Sequence, residues 1–409
     1  MSALTETDTR TNVFDLGLAD LGAFVKALGE PEYRAAQIAR WLYQRGVTDF
    51  EAMSDLSKGL RQTLAERLFV PALGVHRVER GRDGTTKYAF RARGGDVVEA
   101  VFIPDASAPG RNTLCISSQV GCALDCKFCL TASLGLVRNL APGEIVDQLT
   151  RVRLDLEAEA IARSADVPRS AEMTRSAEMA RPAEMARPAE MARPAEVPSR
   201  SLESTTPQIG NVVLMGMGEP LQNYGALVKA LEIMTSSDGP KISPRRITVS
   251  TAGLAPKIAR LGRDTAVNLA ISLNATTDAV RTQIMPINAR WNIEALLAAC
   301  RGFPTERRRR ITFEYVLLAG VNDTDQDARR LVKLLRPFRC KVNLIPFNEH
   351  PYSAYKRPSA ARVAAFQAIL GKAQMTVLVR TPRGDDISAA CGQLGALVEA
   401  PRSRLAVVS

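Results

Sequence analysis

The chain has 409 residues, of which 46% are apolar, enough for a large buried core with accessories. Its 54 lysines and arginines exceed its 43 aspartates and glutamates, and the formal charge of +11 suggests a polyanionic partner, nucleic acid first, while saying nothing of fold. Two histidines leave almost no material for a His-rich zinc site or a Ser-His-Asp triad, and no run of about eighteen apolar residues is present to span a membrane.

Residues 13–70 carry helical periodicity, and 1–74 are expected to form a small helical domain. Leu56, Leu60, Leu64 and Leu68 stand four apart on one face, and YRAAQIARWLYQRG turns Ile38, Trp41 and Leu42 inward with Arg34, Arg40 and Arg45 elsewhere. Such basic outer positions suit phosphates or plain solvation. Residues 75–110 change character, with TTKYAFRA and DVVEAVFIP as short strand-like runs between the turn clusters GRDG and RGGD, a β segment. Glu99 sits awkwardly there, between Val97 and Val101 on one face and Val98, Ala100 and Phe102 on the other. A carboxylate held among apolar groups has a raised pKa and can accept a proton near neutrality; the pattern alone favours a strand-end carboxylate reaching solvent.

From 111 to 385 the strand-like runs TLCIS, NVVLMG, RITVST, NLAISL, ITFEYVLL, KVNLIPF and MTVLVRT alternate with helical segments such as APGEIVDQLTRVRLDLEA, NYGALVKALEIM and NIEALLAACRGF. This alternation predicts an α/β protein with a parallel sheet, open or closed into a barrel, and chemistry at the strand C-terminal ends. One stretch stands outside the scheme. From Arg163 to Pro198 a six-residue unit repeats (RSADVP, RSAEMT, RPAEMA and kin), with one Arg and one acid per copy. Pro182, Pro188 and Pro194 break any helix, so a disordered insertion is expected over 163–205.

The polar start MSALTETDTRTN lacks a signal-peptide layout, so the cytoplasm is expected, where thiols stay reduced. Seven cysteines, an odd number, then read as ligands or reactive groups. The strongest signal is GCALDCKFCL, which spaces Cys122, Cys126 and Cys129 as C-x3-C-x2-C after the strand TLCIS. Three thiolates from one short loop can hold three corners of a cubane iron-sulfur cluster and leave the fourth iron open to an exogenous ligand. A structural zinc site with Cys115 as fourth ligand is the rival, but zinc loops favour C-x2-C pairs from two places.

The surrounding words CISSQVGCALDCKFC, GMGEPLQN, PINARWNIE, IPFN and RGDDISAACGQL give the chain a resemblance to radical S-adenosylmethionine enzymes. Among these it is similar to the RlmN/Cfr family of RNA adenine methyltransferases, closer to the RlmN branch, over about residues 13–395 apart from the insertion. The resemblance implies a partial (β/α)6 radical-SAM barrel over 111–385, with Cys122, Cys126 and Cys129 ligating a 4Fe-4S cluster. It implies S-adenosylmethionine, two molecules per turnover, held by Gly218 and Glu219 of GMGEP, Ser250, the run Ser272, Leu273 and Asn274, and Asn348. Asn274 stands where many members have His, which leaves the contact there open.

It also implies that Cys391, in the C-terminal segment 386–409, accepts a methyl group from a first cofactor molecule, a displacement requiring the thiolate. A 5′-deoxyadenosyl radical from the second then takes hydrogen from that methyl, and the carbon radical adds to carbon 2 of adenine in 23S rRNA and tRNA. The detour makes chemical sense, because an aromatic CH is not nucleophilic. A disulfide between Cys115 and Cys391 resolves the protein-RNA link, with Glu99 as proton acceptor. The implied partners are the RNA and an external reductant such as flavodoxin, with no membrane and a monomeric chain. The first helical domain resembles the family's accessory RNA-binding domain, while Arg307 to Arg310, Arg380 and Arg383 suit phosphates or a solvated face. Cys300 and Cys340 match no family position and read as core. Two alternatives stay open, methylation at carbon 8 and a non-catalytic zinc-bearing RNA-binding protein.

Overall fold

The computed structural model describes residues 10–70, 73–165, 208–305 and 309–395. Three short helices, α1 (Leu18–Ala27), α2 (Tyr33–Ala39) and α3 (Lys58–Arg67), pack through Leu21, Val25, Ile38, Leu60 and Leu64, joined by Leu42 of the π-helical turn Arg40–Gln44 that continues α2, all buried. Two details depart from the periodicity. Helix α3, capped by the Ser57 hydroxyl accepting from Leu60 N–H, stops before Leu68, because β1 (Thr11–Asn12) pairs in parallel with β2 (Leu68–Phe69). Leu56 and Leu68 are therefore buried from outside the helix. Trp41, expected inward, is only half-buried. Its indole N–H donates to Asp55 Oδ1 at 2.5 Å and the Arg45 guanidinium lies 3.9 Å over its ring. An indole donor finds such partners at a surface, and an apolar core offers none.

The β segment is continuous with the main sheet. Strands β3 (Gly74–Arg80), β4 (Thr86–Arg91) and β5 (Val97–Ile103) run antiparallel to one another, and β5 pairs antiparallel with β6 (Asn112–Cys115). A separate hairpin of β7 (Gln119–Gly121) and β8 (Leu136–Asn139) follows. Beyond β6 the pairing is parallel, through β9 (Ile209–Leu214), β10 (Ile247–Thr251), β11 (Asn268–Ser272), β12 (Ile311–Leu317), β13 (Cys340–Pro346) and β14 (Val377–Val379). The result is one ten-stranded sheet ordered β14-β13-β12-β11-β10-β9-β6-β5-β4-β3. Six strands form the partial barrel the sequence implies, and the short β14 adds a seventh. Strands rich in Val, Ile and Leu suit this place, because helices cover the outer face of a parallel sheet while the inner face carries side chains of its own.

Helix α5 (Pro142–Ala165) runs through Arg163 to Ala165, so the first three residues of the expected insertion are helical. The rest of the expected insertion, from 166, lies outside the described residues. Cys300 is core, whereas Cys340 is the first residue of β13 and only half-buried.

Candidate active site

Between β7 and β8 the cysteine loop is fastened on three sides. Gly121, at φ +71°, lets the backbone turn where a Cβ would meet the Gly135 carbonyl oxygen at 1.8 Å, and Cys122 N–H donates to that same oxygen at 2.9 Å. Lys127 N–H donates to the Ile284 carbonyl at 2.9 Å. Helix α4 (Leu130–Ser133) begins after Cys129 and meets the C-terminal segment: Leu130 N–H donates to the Gly392 carbonyl at 2.7 Å and the Thr131 hydroxyl to the Leu394 carbonyl at 2.7 Å.

The loop forms one wall of a cavity at the strand C-terminal ends, lined also by Gly218, Glu219, Ser250, Ser272, Asn274, Asn348 and Cys391. Leu273 is the exception among the sequence candidates for cofactor binding. Its side chain is fully buried in the core, and its carbonyl accepts from Arg281 Nε at 3.0 Å.

Burial pushes the Cys122 thiol up to about 12 and raises those of Cys126 and Cys129. Cys129 and Glu219 add to the shifts of both Cys122 and Cys126. Thiols so placed ionise readily only against a metal. Among the described residues no three His, Cys, Asp or Glu side chains converge as a single metal ion requires. A cubane takes one thiolate per iron, so it wants its sulfurs apart, and an all-sulfur donor set is the one that iron-sulfur clusters use.

Gly218, at φ +98°, carries the backbone past Gln119, where a Cβ would lie 2.5 Å from the Gln119 Cβ. Gln119 Oε1 in turn accepts from Glu219 N–H at 2.8 Å. The buried Glu219 carboxylate accepts from Leu221 N–H at 3.0 Å and Ala252 N–H at 2.8 Å, yet burial still pushes it up to about 7. Asn274, left-handed at φ +57°, has its Oδ1 committed to Val316 N–H at 2.8 Å. Asn348 donates from Nδ2 to the Cys391 carbonyl at 3.2 Å, and its buried Oδ1 has no partner.

Sequence reasoning missed Glu314 on β12. It lines the same cavity and accepts from the Ser250 hydroxyl at 2.9 Å, with burial raising its carboxyl. The available signal was a lone acid inside the apolar run ITFEYVLL, the same kind of signal that singles out Glu99.

Cys391 is exposed at the cavity mouth, and the protein packed around it raises its thiol to about 11, with Glu314 adding to the shift and Arg380 opposing it. Cys115 and Glu99 lie behind the segment that carries it. Cys115 packs with Ala389 and Leu394, and its thiol is raised by burial and then by Cys391. Glu99 is fully buried and accepts from Gly395 N–H at 3.0 Å, so the strand-end, solvent-reaching alternative is overturned. It fails because β5 has sheet neighbours on both edges and protein over both faces.

Of the arginines singled out in the helical domain, Arg40 lies 3.3 Å from Asp238, Arg34 3.7 Å from Glu30 and Arg45 over the Trp41 ring. Arg310 donates to the Thr376 hydroxyl at 3.1 Å, Arg383 lies 3.7 Å from Asp83, and Arg307 and Arg308 fall outside the described residues. Among the described residues no helix is long and apolar enough to cross a membrane.

A family profile described as the ribosomal RNA large subunit methyltransferase N-terminal domain matches residues 11–70. Over nearly its whole length the chain is similar to proteins named dual-specificity RNA methyltransferase RlmN. That of Syntrophotalea carbinolica is 44% identical, covering 98% of this chain and 94% of its own, and that of Geobacter sulfurreducens is 46% identical over 96% and 94%. A solved radical SAM methyltransferase from Sphaerobacter thermophilus superposes with a TM-score of 0.76 at 40% identity, covering 94% of this chain and 99% of its own.

Proposed function

We propose the roles of individual residues from one premise: the chain belongs to the RlmN family and is a radical S-adenosylmethionine RNA methyltransferase. The observation that carries the proposal is the convergence of three thiols, the strand-end polar groups and Cys391 on one cavity. Cys122, Cys126 and Cys129 would hold a 4Fe-4S cluster and S-adenosylmethionine would lie beside it, the pair supplying radical chemistry.

Glu219 receives the cofactor's ammonium. Its two backbone hydrogen bonds fix its direction, and a cation at contact pulls its raised pKa back down and ionises it. Ser250, held by Glu314, and Ser272 meet the hydroxyl-rich middle of the ligand. Leu273 supports the wall, since its side chain is core and its N–H and carbonyl are bonded to the Glu314 carbonyl and to Arg281. Asn274, its Oδ1 taken, offers its Nδ2, which otherwise meets Met285 Sδ at 3.2 Å. The unpartnered Asn348 Oδ1 accepts from an amino group such as that of adenine.

Cys391, as thiolate, takes a methyl group from a first cofactor molecule. The methyl carbon is then delivered to carbon 2 of an adenine in 23S rRNA or tRNA, a base splayed out of its stack so that the cavity can reach it. Glu99 accepts the proton lost from carbon 2. With one methyl hydrogen given up to the cofactor's radical chemistry and the adduct's unpaired electron returned to the cluster, the Cys115 thiolate would attack the Cys391 sulfur. The carbon-sulfur bond would break with its electron pair on carbon, which takes up a proton to complete the methyl group, and the disulfide left behind would be reopened by the external reductant. Support for this trio is its shared neighbourhood: Cys115 packs on Ala389 and Leu394, and Glu99 holds Gly395. An external reductant of the flavodoxin kind and a monomeric, cytoplasmic chain complete the reading. Anaerobic iron and sulfide analysis tests it. Wild-type protein should bind both and Cys126→Ala should bind neither, whereas wild type holding zinc and no sulfide would refute it.

A further inference from the structure

Arg281 is the largest fully buried side chain among the described residues, with no exposed surface. It lies on the short helix Asp278–Ile284, whose last residue receives the Lys127 N–H of the cysteine loop. Its guanidinium bonds only neutral acceptors. Nε donates to the Leu273 carbonyl at 3.0 Å, Nη1 to Asn288 Oδ1 at 3.0 Å, and Nη2 to the carbonyls of Ala252 at 2.7 Å and Ser272 at 3.2 Å. It thus ties the ends of β10 and β11 together beneath the cavity. The acid on the same helix, Asp278, is exposed, and its Oδ1 is taken by Asn288 Nδ2 at 3.0 Å and Ile293 N–H at 2.9 Å.

A buried cation without an adjacent anion is costly, and proteins rarely leave one. Three groups supply negative charge to the guanidinium, Cys126 first, then the exposed Asp278 and then Cys300. Cys126 packs against the apolar cluster of Ile284 and Met285 that Ala252 also joins, its neighbour Lys127 is bonded to the last residue of the Arg281 helix, and Arg281 grips the Ala252 carbonyl. Burial outweighs the charges that favour the protonated guanidinium and lowers its pKa to about 10.

We propose that Arg281 is the counter-charge of the cysteine-bound cluster, a positioning residue that also sets the ease with which the cluster is reduced. The inference rests on the reading that Cys122, Cys126 and Cys129 hold such a cluster. A cubane with three thiolates is a net anion, more so after taking an electron, and a fixed cation in a water-poor site favours the more negative state. Neutral hydrogen bonds to four acceptors hold the cation in place, so its field survives without a carboxylate to cancel it.

The test separates charge from clamp. Arg281→Met removes the charge and fills a similar volume, and Arg281→Lys keeps the charge while losing the fork that reaches four acceptors. In anaerobically reconstituted protein, redox titration followed by electron paramagnetic resonance should find the equilibrium constant for one-electron reduction at least about tenfold lower in Arg281→Met, about 59 mV for a one-electron couple. Arg281→Lys should stay within about threefold of wild type. Equal shifts in both variants, or none in either, would overturn the proposal. Should Arg281→Met fail to retain a cluster, Arg281→Gln, neutral but still a hydrogen-bond donor, decides. Iron and sulfide should be lost in Arg281→Gln as in Arg281→Met and kept in Arg281→Lys, and full retention by Arg281→Gln makes the residue a clamp alone. Wild type devoid of iron and sulfide would sink the cluster reading itself, and the counter-charge with it.

Discussion

The thiol of Cys391 offers a quantitative check on the electrostatics of the cavity. With its thiol near 11, about one molecule in a thousand is ionised at pH 8, against about one in four for an ordinary thiol of pKa about 8.5. The more basic thiolate recovers about tenfold through its greater nucleophilicity, which leaves alkylation roughly twentyfold slower than for a free cysteine. The assay is iodoacetamide labelling of cluster-free protein, with the peptide bearing Cys391 quantified by mass spectrometry from pH 7 to 10. Its rate should climb about tenfold per pH unit through pH 9.5 without levelling. Because Glu314 raises the thiol and Arg380 lowers it, Glu314→Gln should speed labelling at pH 8 and Arg380→Gln should slow it. A plateau below pH 9, or the opposite order of the two variants, would refute the argument.

Gly218→Ala should destabilise the protein by about 3–6 kcal/mol in urea unfolding. The sum comes from a left-handed backbone (about 1–2), overlap with Gln119 (about 1–3) and loss of the Gln119 to Glu219 hydrogen bond (about 1), and a cost under about 1 kcal/mol would contradict the steric overlap. Asp147, buried with Leu73 N–H at 2.6 Å, has its carboxyl raised to about 6. A folded-state pKa above the unfolded value means that ionisation opposes folding, by up to about 3 kcal/mol above pH 6, a burden that fades as pH falls towards 4. Asp147→Asn should therefore be the more stable protein at pH 8, with the advantage shrinking below pH 5. Cys115→Ala should accumulate a covalent protein-RNA species on denaturing gels and Cys391→Ala should form neither adduct nor product; methylation by the latter would exclude a thiol carrier. Nucleoside mass analysis after Cys115-competent turnover should find 2-methyladenosine, and 8-methyladenosine would move the chain to the carbon 8 chemistry. Deleting residues 166–198 should leave turnover within about twofold, and a severe loss would give the repeat a working part.

The parallel strands from β6 to β13 were legible because they are short apolar runs, mostly buried, that alternate with helical segments. Strand β5 is as apolar and as buried but lies in a hairpin, and the edge strand β14 leaves Leu378 and Val379 exposed. The hairpin β7-β8 was not legible, since QVG and LVRN are too short for a period of two to be seen, although it is what aims Cys122 into the cavity. Trp41 misled because periodicity registers its ring and ignores its N–H. At the site, the cysteine trio is readable because its members share one loop. Glu314 was overlooked among the apolar residues of β12, although a lone acid in an apolar strand is also what marks Glu99 on β5. Arg281 was invisible for a different reason: in DAVRTQI it looks like any surface arginine, and only the meeting of two strand ends above it closes it off from water.

The hydrogen bonds that join Leu130 and Thr131 to Gly392 and Leu394 have a bearing on biosynthesis. The wall of the cavity formed by Cys391 and Gly392 is among the last described parts of the chain to leave the ribosome, while the cysteine loop emerges early. Throughout that interval the nascent polypeptide presents its three sulfurs without their cover. Assembly factors delivering iron and sulfide would thus meet an open vestibule during synthesis and a narrower one once the C-terminal strap has docked.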